Sequence, residues 1–201
     1  TPGLPGRATI PDGKPLGLQV LRLGTCGCGG GFAGVGGREG GSCRLGRMEF
    51  THLDAQGQAR MVDVTGKQPT VRSATAVATV KTSPEIVEAL RTGTVPKGDV
   101  LAVARVAGIA AAKKTPDLLP LAHIIGVHGC VVDLEITDEG VDITATVRTA
   151  DRTGVEMEAL TSVTVAALAI VDMVKGVDRS AEIVSAKITA KSGGRSGDWT
   201  R

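Results

Sequence analysis

The sequence predicts an α+β fold built on an antiparallel sheet. Three observations carry this. Residues 73–81 and 132–147 alternate apolar with polar or small side chains, the period of half-buried strands. Asp138-Glu139-Gly140 sits between two such runs and marks a hairpin, which pairs strands antiparallel. Two long Ala/Val-rich segments separate the strands and have helical length.

The elements follow in order. Ser73–Lys81 (SATAVATVK) is a strand. Ser83 caps a helix that has Pro84 at its first position, Glu85 in its first turn and Gly93 as its stop. Lys97–Lys114 is an Ala-rich helix, ended by Pro116. TPDLLPLAHIIG reads as an irregular connection. In the hairpin Val132, Leu134 and Ile136 face inward, answered by Val141, Ile143, Ala145 and Val147 on the return strand. A long helix spans Gly154 to Gly176, and AEIVSAKITAKSGG is a last strand. Strand, helix pair, strand, strand, helix, strand is the split βαβ or ferredoxin-like order, with the helices packed on one face. That arrangement hosts enzymes and binding modules alike and decides nothing about function.

Residues 1–47 are a different kind of chain. They hold fifteen of the 28 Gly, six Lys/Arg against two Asp/Glu, and three of the four Cys. This Gly/Pro-rich stretch is expected to be a disordered upstream extension, with residues 48–201, opening at Met48, as the folded body. Gly29, Gly31 and Gly34 match a G-x-G-x-x-G spacing, but without a flanking strand and helix the match carries no nucleotide site. Cys26, Cys28 and Cys43 lack the fourth ligand and the spacing of a zinc site. Cys130 is alone in the body, which points to a reducing cytoplasm. No apolar run reaches the ~18 residues of a membrane span, and no secretory leader is expected. The net charge of +2 argues for no polyanion. The body's only aromatics are Phe50 and Trp199, outside every predicted strand, which excludes the stacking platform of an RNA-binding sheet.

The candidate chemistry begins on the long helix, where thirteen uncharged residues, 159–171, precede Asp172 and Lys175. A helix apolar nearly all round needs cover beyond its own sheet, and a second subunit is the simplest cover. Glu158 and Asp172 fall within roughly 40° of each other around the axis. Asp172 and Lys175 are neighbours, and a buried acid–lysine pair exchanges protons near neutral pH. The same spacing describes an ordinary surface ion pair, and spacing does not separate the two. His123 among apolar residues fits a core histidine as well as a catalyst; His52 and His128 have no supporting context, and no His pair has metal-ligand spacing. Lys97-Gly98-Asp99 at a helix start is a candidate anion site. AKSGGRSGDW combines Lys191, Arg195 and glycines, as either a phosphate cradle or a basic tail.

Two classes remain: an enzyme acting on a small phosphorylated molecule at a subunit boundary, or a non-catalytic ferredoxin-like regulatory module. HLDAQGQARMVDVTGK, KGDVLAVARVAGIAAAKKTPDLLPLAH, TGVEMEALTSVTVAALAIVDMVK and AKSGGRSGD together, from about Thr51 to Asp198, resemble the MoaC family of cyclic pyranopterin monophosphate synthases. The resemblance implies a lyase of molybdenum cofactor biosynthesis. It would convert 3',8-cyclo-7,8-dihydro-GTP to cyclic pyranopterin monophosphate and release pyrophosphate. It also implies a ferredoxin-like subunit, a hexamer built as a trimer of dimers with the site at the dimer interface, and no redox or metal cofactor.

By motif, the resemblance makes Asp172 and Lys175 the catalytic pair. It makes Leu121, Ala122 and His123, with Met157 and Glu158, the substrate contacts. Lys97 and Lys191 match basic site positions, while Arg148 and Arg195 align only by neighbourhood. The chain departs from the family's frequent Pro-Leu-Cys-His-Pro, reading Pro120-Leu121-Ala122-His123-Ile124. A thiol at that position is then not needed for the chemistry.

Overall fold

A computed structural model describes residue 54 and residues 56–201 of the 201-residue chain. The extension expected over residues 1–47, its glycine pattern and three cysteines, Met48 and His52 lie outside the described residues.

Strand β1, Thr70–Lys81, begins before the expected Ser73. Its alternation buries Ala74, Ala76, Ala78 and Val80, each at most 1% exposed. Helix α1, Pro84–Thr92, has the predicted ends: the Ser83 hydroxyl accepts the Ile86 N–H, and Gly93 takes the left-handed conformation at φ 68°. Helix α2, Val100–Ala112, is capped by the Asp99 carboxylate, which accepts the Ala102 N–H at 2.9 Å. Pro116 does not end this helix as expected. α2 stops at Ala112, and Pro116 stands in the first turn of a separate short helix, α3, Thr115–Leu118, where its missing N–H costs nothing.

β2 (Gly129–Ile136) and β3 (Gly140–Asp151) form the expected hairpin, with Val132 opposite Ala145 and Leu134 opposite Ile143. At Gly140 a Cβ would run into the Val80 carbonyl, so the turn needs glycine. Helix α4 is Glu156–Val174 and β4 is Glu182–Ser192. A two-residue strand β5, Trp199–Thr200, pairs with β4 and was not foreseen.

The five strands form one open antiparallel sheet in the order β2-β3-β1-β4-β5. Val141, Ile143, Ala145 and Val147 are fully buried beside the inward residues of β1. Ala159, Val163, Ala166, Ile170 and Val174 of α4 belong to the same core. α2 lies along α4, and Gly108 sets their spacing, since a Cβ there would lie 3.0 Å from the Ser162 carbonyl. By length and composition α4 passes for a membrane span, against the reading that no such segment exists. Its burial under the sheet makes it the core helix. The other sheet face carries hydroxyl pairs such as Thr75–Thr146 at 2.9 Å, and Arg148 shares its outward phase.

Candidate active site

The C-terminal end of α4 gathers three charges. Lys175, the C-cap, places Nζ 2.6 Å from Asp172 Oδ1. Lys97, from the loop between α1 and α2, places Nζ 3.6 Å from Asp172 Oδ2 and donates to the Asp172 carbonyl at 2.6 Å. Two ammonium groups thus meet the negative end of the helix dipole and offset the carboxylate's unfavourable place there. The hydrogen bond and charge of Lys175, followed by the charge of Lys97, hold the Asp172 carboxyl below its ordinary range. The expectation of a buried pair is not met within one chain. The side chains of Asp172 and Lys175 are 59% and 61% exposed, because both lie with Leu168 on the outward stripe of α4, while Val174 between them is fully buried. At the helix start of Lys97-Gly98-Asp99 the Ala102 N–H is taken by the Asp99 carboxylate, and Lys97 turns to α4.

The N-terminal end of α4 is built differently. Leu121, Ala122, His123, Met157 and Glu158 line one cavity of about 920 Å³, with Val62 and Val64 on its wall. Two predicted motifs, one in a loop and one in the first turn of α4, therefore meet in one place. Glu158 is 3% exposed. Burial raises its carboxyl pKa, a hydrogen bond from its own backbone N–H opposes this, and the charge of Glu156 raises it further against a smaller effect of His123. Of the carboxyls around this cavity, Glu158 is the one shifted toward its neutral form. His123 Nε2 lies 2.6 Å from the Val62 carbonyl. A carbonyl only accepts, so this nitrogen carries the hydrogen.

A polar recess of about 230 Å³ adjoins the cavity and shares Thr153, Gly154 and Glu156 with it. Lys191 and Arg72 line it, together with Gly193 and Ser196. Lys191 Nζ is 3.5 Å from Glu156 Oε1 and 2.7 Å from the Ser196 hydroxyl. Gly193, Gly194 and Gly197 of this loop have φ of 83°, 77° and 69°, the conformations for which glycine is suited. Arg72 is oriented by the carbonyls of Asp151 and Arg152, at 3.2 and 3.3 Å.

The sequence reading missed Arg72 and Glu156. Arg72 was legible: it stands in phase with Ala74, Ala76, Ala78 and Val80, a charge in a buried register. Arg195 is exposed and lines neither the cavity nor the recess, although its neighbours Gly193 and Ser196 line the recess, and Arg148 lies on the opposite sheet face.

Glu158 and Asp172 are fourteen positions apart along the helix, a rise of about 21 Å. One chain therefore holds two separate clusters: an apolar cavity with a buried acid and a basic recess at one end of α4, and the Lys97–Asp172–Lys175 cluster at the other.

Comparison with known proteins adds an independent line. The MoaC family profile matches residues 61–194, more than half of the chain. A cyclic pyranopterin monophosphate synthase of Streptomyces coelicolor is 59% identical over 152 residues, covering 76% of this chain and 89% of that protein. One from Geobacter sulfurreducens is 54% identical over 157 residues, covering 77% and 98%. A protein of Mycobacterium bovis named cyclic pyranopterin monophosphate synthase 2 is 52% identical over 153 residues, covering 76% and 92%. These relatives support the enzyme reading and not the regulatory module.

Proposed function

The chain belongs to the MoaC family, and from that premise we propose that it is a cyclic pyranopterin monophosphate synthase, a lyase of molybdenum cofactor biosynthesis. It converts 3',8-cyclo-7,8-dihydro-GTP to cyclic pyranopterin monophosphate and pyrophosphate. The observation that carries the reading is the meeting of Leu121-Ala122-His123 with Met157-Glu158 around one cavity, beside a recess lined by Lys191 and Arg72.

The chemistry asks for two kinds of environment. The bicyclic base and ribose need a partly apolar cavity with few polar groups. The triphosphate needs fixed cations, which Lys191 and Arg72 supply at the recess and Lys97 at the far end of α4. A ribose hydroxyl loses its proton and its oxygen bonds to the α-phosphorus. The bond from that phosphorus to the bridging oxygen of the β-phosphate breaks, and pyrophosphate leaves. Rearrangement of the base moves protons on and off nitrogen and carbon. In this reading Lys175 is the principal proton donor, and Asp172, held ionised by its two lysines, orients it or accepts a proton. Arg195 and Arg148 keep only the weaker place that the alignment gave them.

The finer architecture belongs to the same reading. The order β2-β3-β1-β4 of the first four strands supports a ferredoxin-like subunit. The ~21 Å between the two clusters supports a site completed by a second copy, within a hexamer built as a trimer of dimers. Val103 and Val106 of α2 and Leu168 of α4 are 44%, 67% and 53% exposed, apolar surface of the kind such a contact covers. Residues 48–201 form the catalytic domain. The substrate is small and phosphorylated, and the enzyme works in the cytoplasm, where Cys130 remains a free thiol.

The test supplies purified protein with the cyclised GTP substrate and follows pyrophosphate release together with the fluorescent oxidation product of the pterin. Turnover is expected. Folded protein that releases no pyrophosphate overturns the assignment.

A further inference from the structure

We propose that His123 is a positioning residue whose Nε2–H fixes residues 59–67 as a strap along the cavity, rather than the group that moves a proton on the substrate. The strap contains neither a helix nor an extended strand. It nevertheless lines the cavity: Ala59, Val62, Val64 and Lys67 do so together with Leu121, Ala122 and His123. Val62 and Val64 are half-buried, while Met61, Asp63 and Thr65 face solvent, so the strap presents an apolar edge inward. Its hydrogen bonds at Thr65 and Lys67 are local: Asp63 Oδ1 accepts the Thr65 N–H, and the Val64 carbonyl accepts the Lys67 N–H. Among the described residues, two side chains of the body reach its backbone. His123 donates to the Val62 carbonyl at 2.6 Å, and Arg152 Nε donates to the Lys67 carbonyl at 3.0 Å.

The His123 bond is the shorter, and it falls mid-strap, at the residue that lines the cavity. Its chemistry restricts what the imidazole does. A carbonyl oxygen has no proton to give, so Nε2 carries the hydrogen whether the ring is neutral or cationic. The contact therefore survives titration of the ring. While it is made, Nε2 is not free to act as a base toward a bound substrate. Closing a wall over the substrate keeps water from the reacting atoms and holds the base in register.

The inference rests on the cavity being the substrate site, but part of its test does not depend on turnover. His123→Gln places an amide N–H near the position of Nε2, without a titratable ring. His123→Ala removes the donor. Hydrogen–deuterium exchange of residues 59–67 and tryptic cleavage after Arg60 and Lys67 report the strap in the full-length protein. Exchange in α4 reports the fold. The expectation is that His123→Ala opens the strap, raises KM at least about tenfold and leaves α4 protected, while His123→Gln restores strap protection and recovers most of the lost kcat/KM. Unchanged strap exchange in His123→Ala would overturn the proposal. So would a His123→Gln protein with a closed strap and a kcat as low as that of His123→Ala, because the ring would then be the proton carrier. If the wild-type protein itself released no pyrophosphate, the proposed function would fail, and the exchange data would still decide whether His123 holds the strap.

Discussion

The two ends of α4 carry the same functional groups in opposite environments. At the N-terminal end Glu158 is buried in an apolar cavity, and its carboxyl is pushed toward the neutral form. At the C-terminal end Asp172 stands in solvent between Lys97 and Lys175 and is held as the anion. One helix thus carries one carboxyl shifted toward the neutral form and one shifted toward the anion. Environment rather than residue type separates the two roles. In a single chain they lie about 21 Å apart, so they work on one substrate only if a second chain brings the opposite end.

The largest expected effects are at the exposed end. Lys175→Ala and Asp172→Asn should each lower kcat by a factor of about 10²–10⁴, measured by pyrophosphate release, if they act in proton transfer. Both residues are exposed, so melting temperatures should stay close to wild type. A large loss of stability would move the pair into the structural class and blur the contrast between the ends.

At the buried end the contrast is sharpened by pH. The folded-state pKa of Glu158 lies above its unfolded value, so the native state binds the proton more tightly. Below the ordinary carboxylate pKa both states are protonated and the group contributes no pH dependence. As pH rises from there toward the folded pKa, the unfolded state ionises first and stability falls. Glu158→Gln should remove that part of the fall. Thermal melts of both proteins across the acidic to neutral range check this, and parallel curves would contradict it.

Packing between the helices comes next. Gly108→Val puts methyl groups where the Ser162 carbonyl and the Ala166 methyl already sit, and should cost about 2 kcal/mol in denaturant unfolding. Activity should fall as well, since the loop leading into α2 carries Lys97 and α4 carries Asp172. The smallest effect is at the caps, where Asp99→Ala should cost about 1 kcal/mol by chemical denaturation.

Much of this was legible in the residues. The alternation in β1 and β3 named the inward faces correctly, because a one-residue slip would have buried Thr75, Thr79 and Asp142. Ser83 and Gly93 marked the ends of α1 through chemistry that acts locally. What was missed has physical reasons. β5 is two residues long and exists only by pairing with β4. Arg72 was overlooked because β1 was started at Ser73, one residue short of the charge that breaks its buried register. The helical wheel put Glu158 and Asp172 on one stripe, but angle says nothing about rise along the axis or about the loop around Leu121–His123 that lines the cavity at Glu158 and leaves Asp172 exposed. The strap contact between His123 and Val62 joins residues 61 positions apart, and no local pattern announces it.

The central claim, that one active site is built from opposite ends of α4 in two chains, has a direct test by subunit mixing. Lys175→Ala and Glu158→Ala proteins, each first assayed alone for loss of turnover, are unfolded together and refolded at equal concentration. In a two-fold contact each mixed pair regains one intact site, so roughly a quarter of wild-type activity should return with random assortment. Mixed assemblies that form but stay inactive would contradict the account, because the two ends would then serve within their own chain.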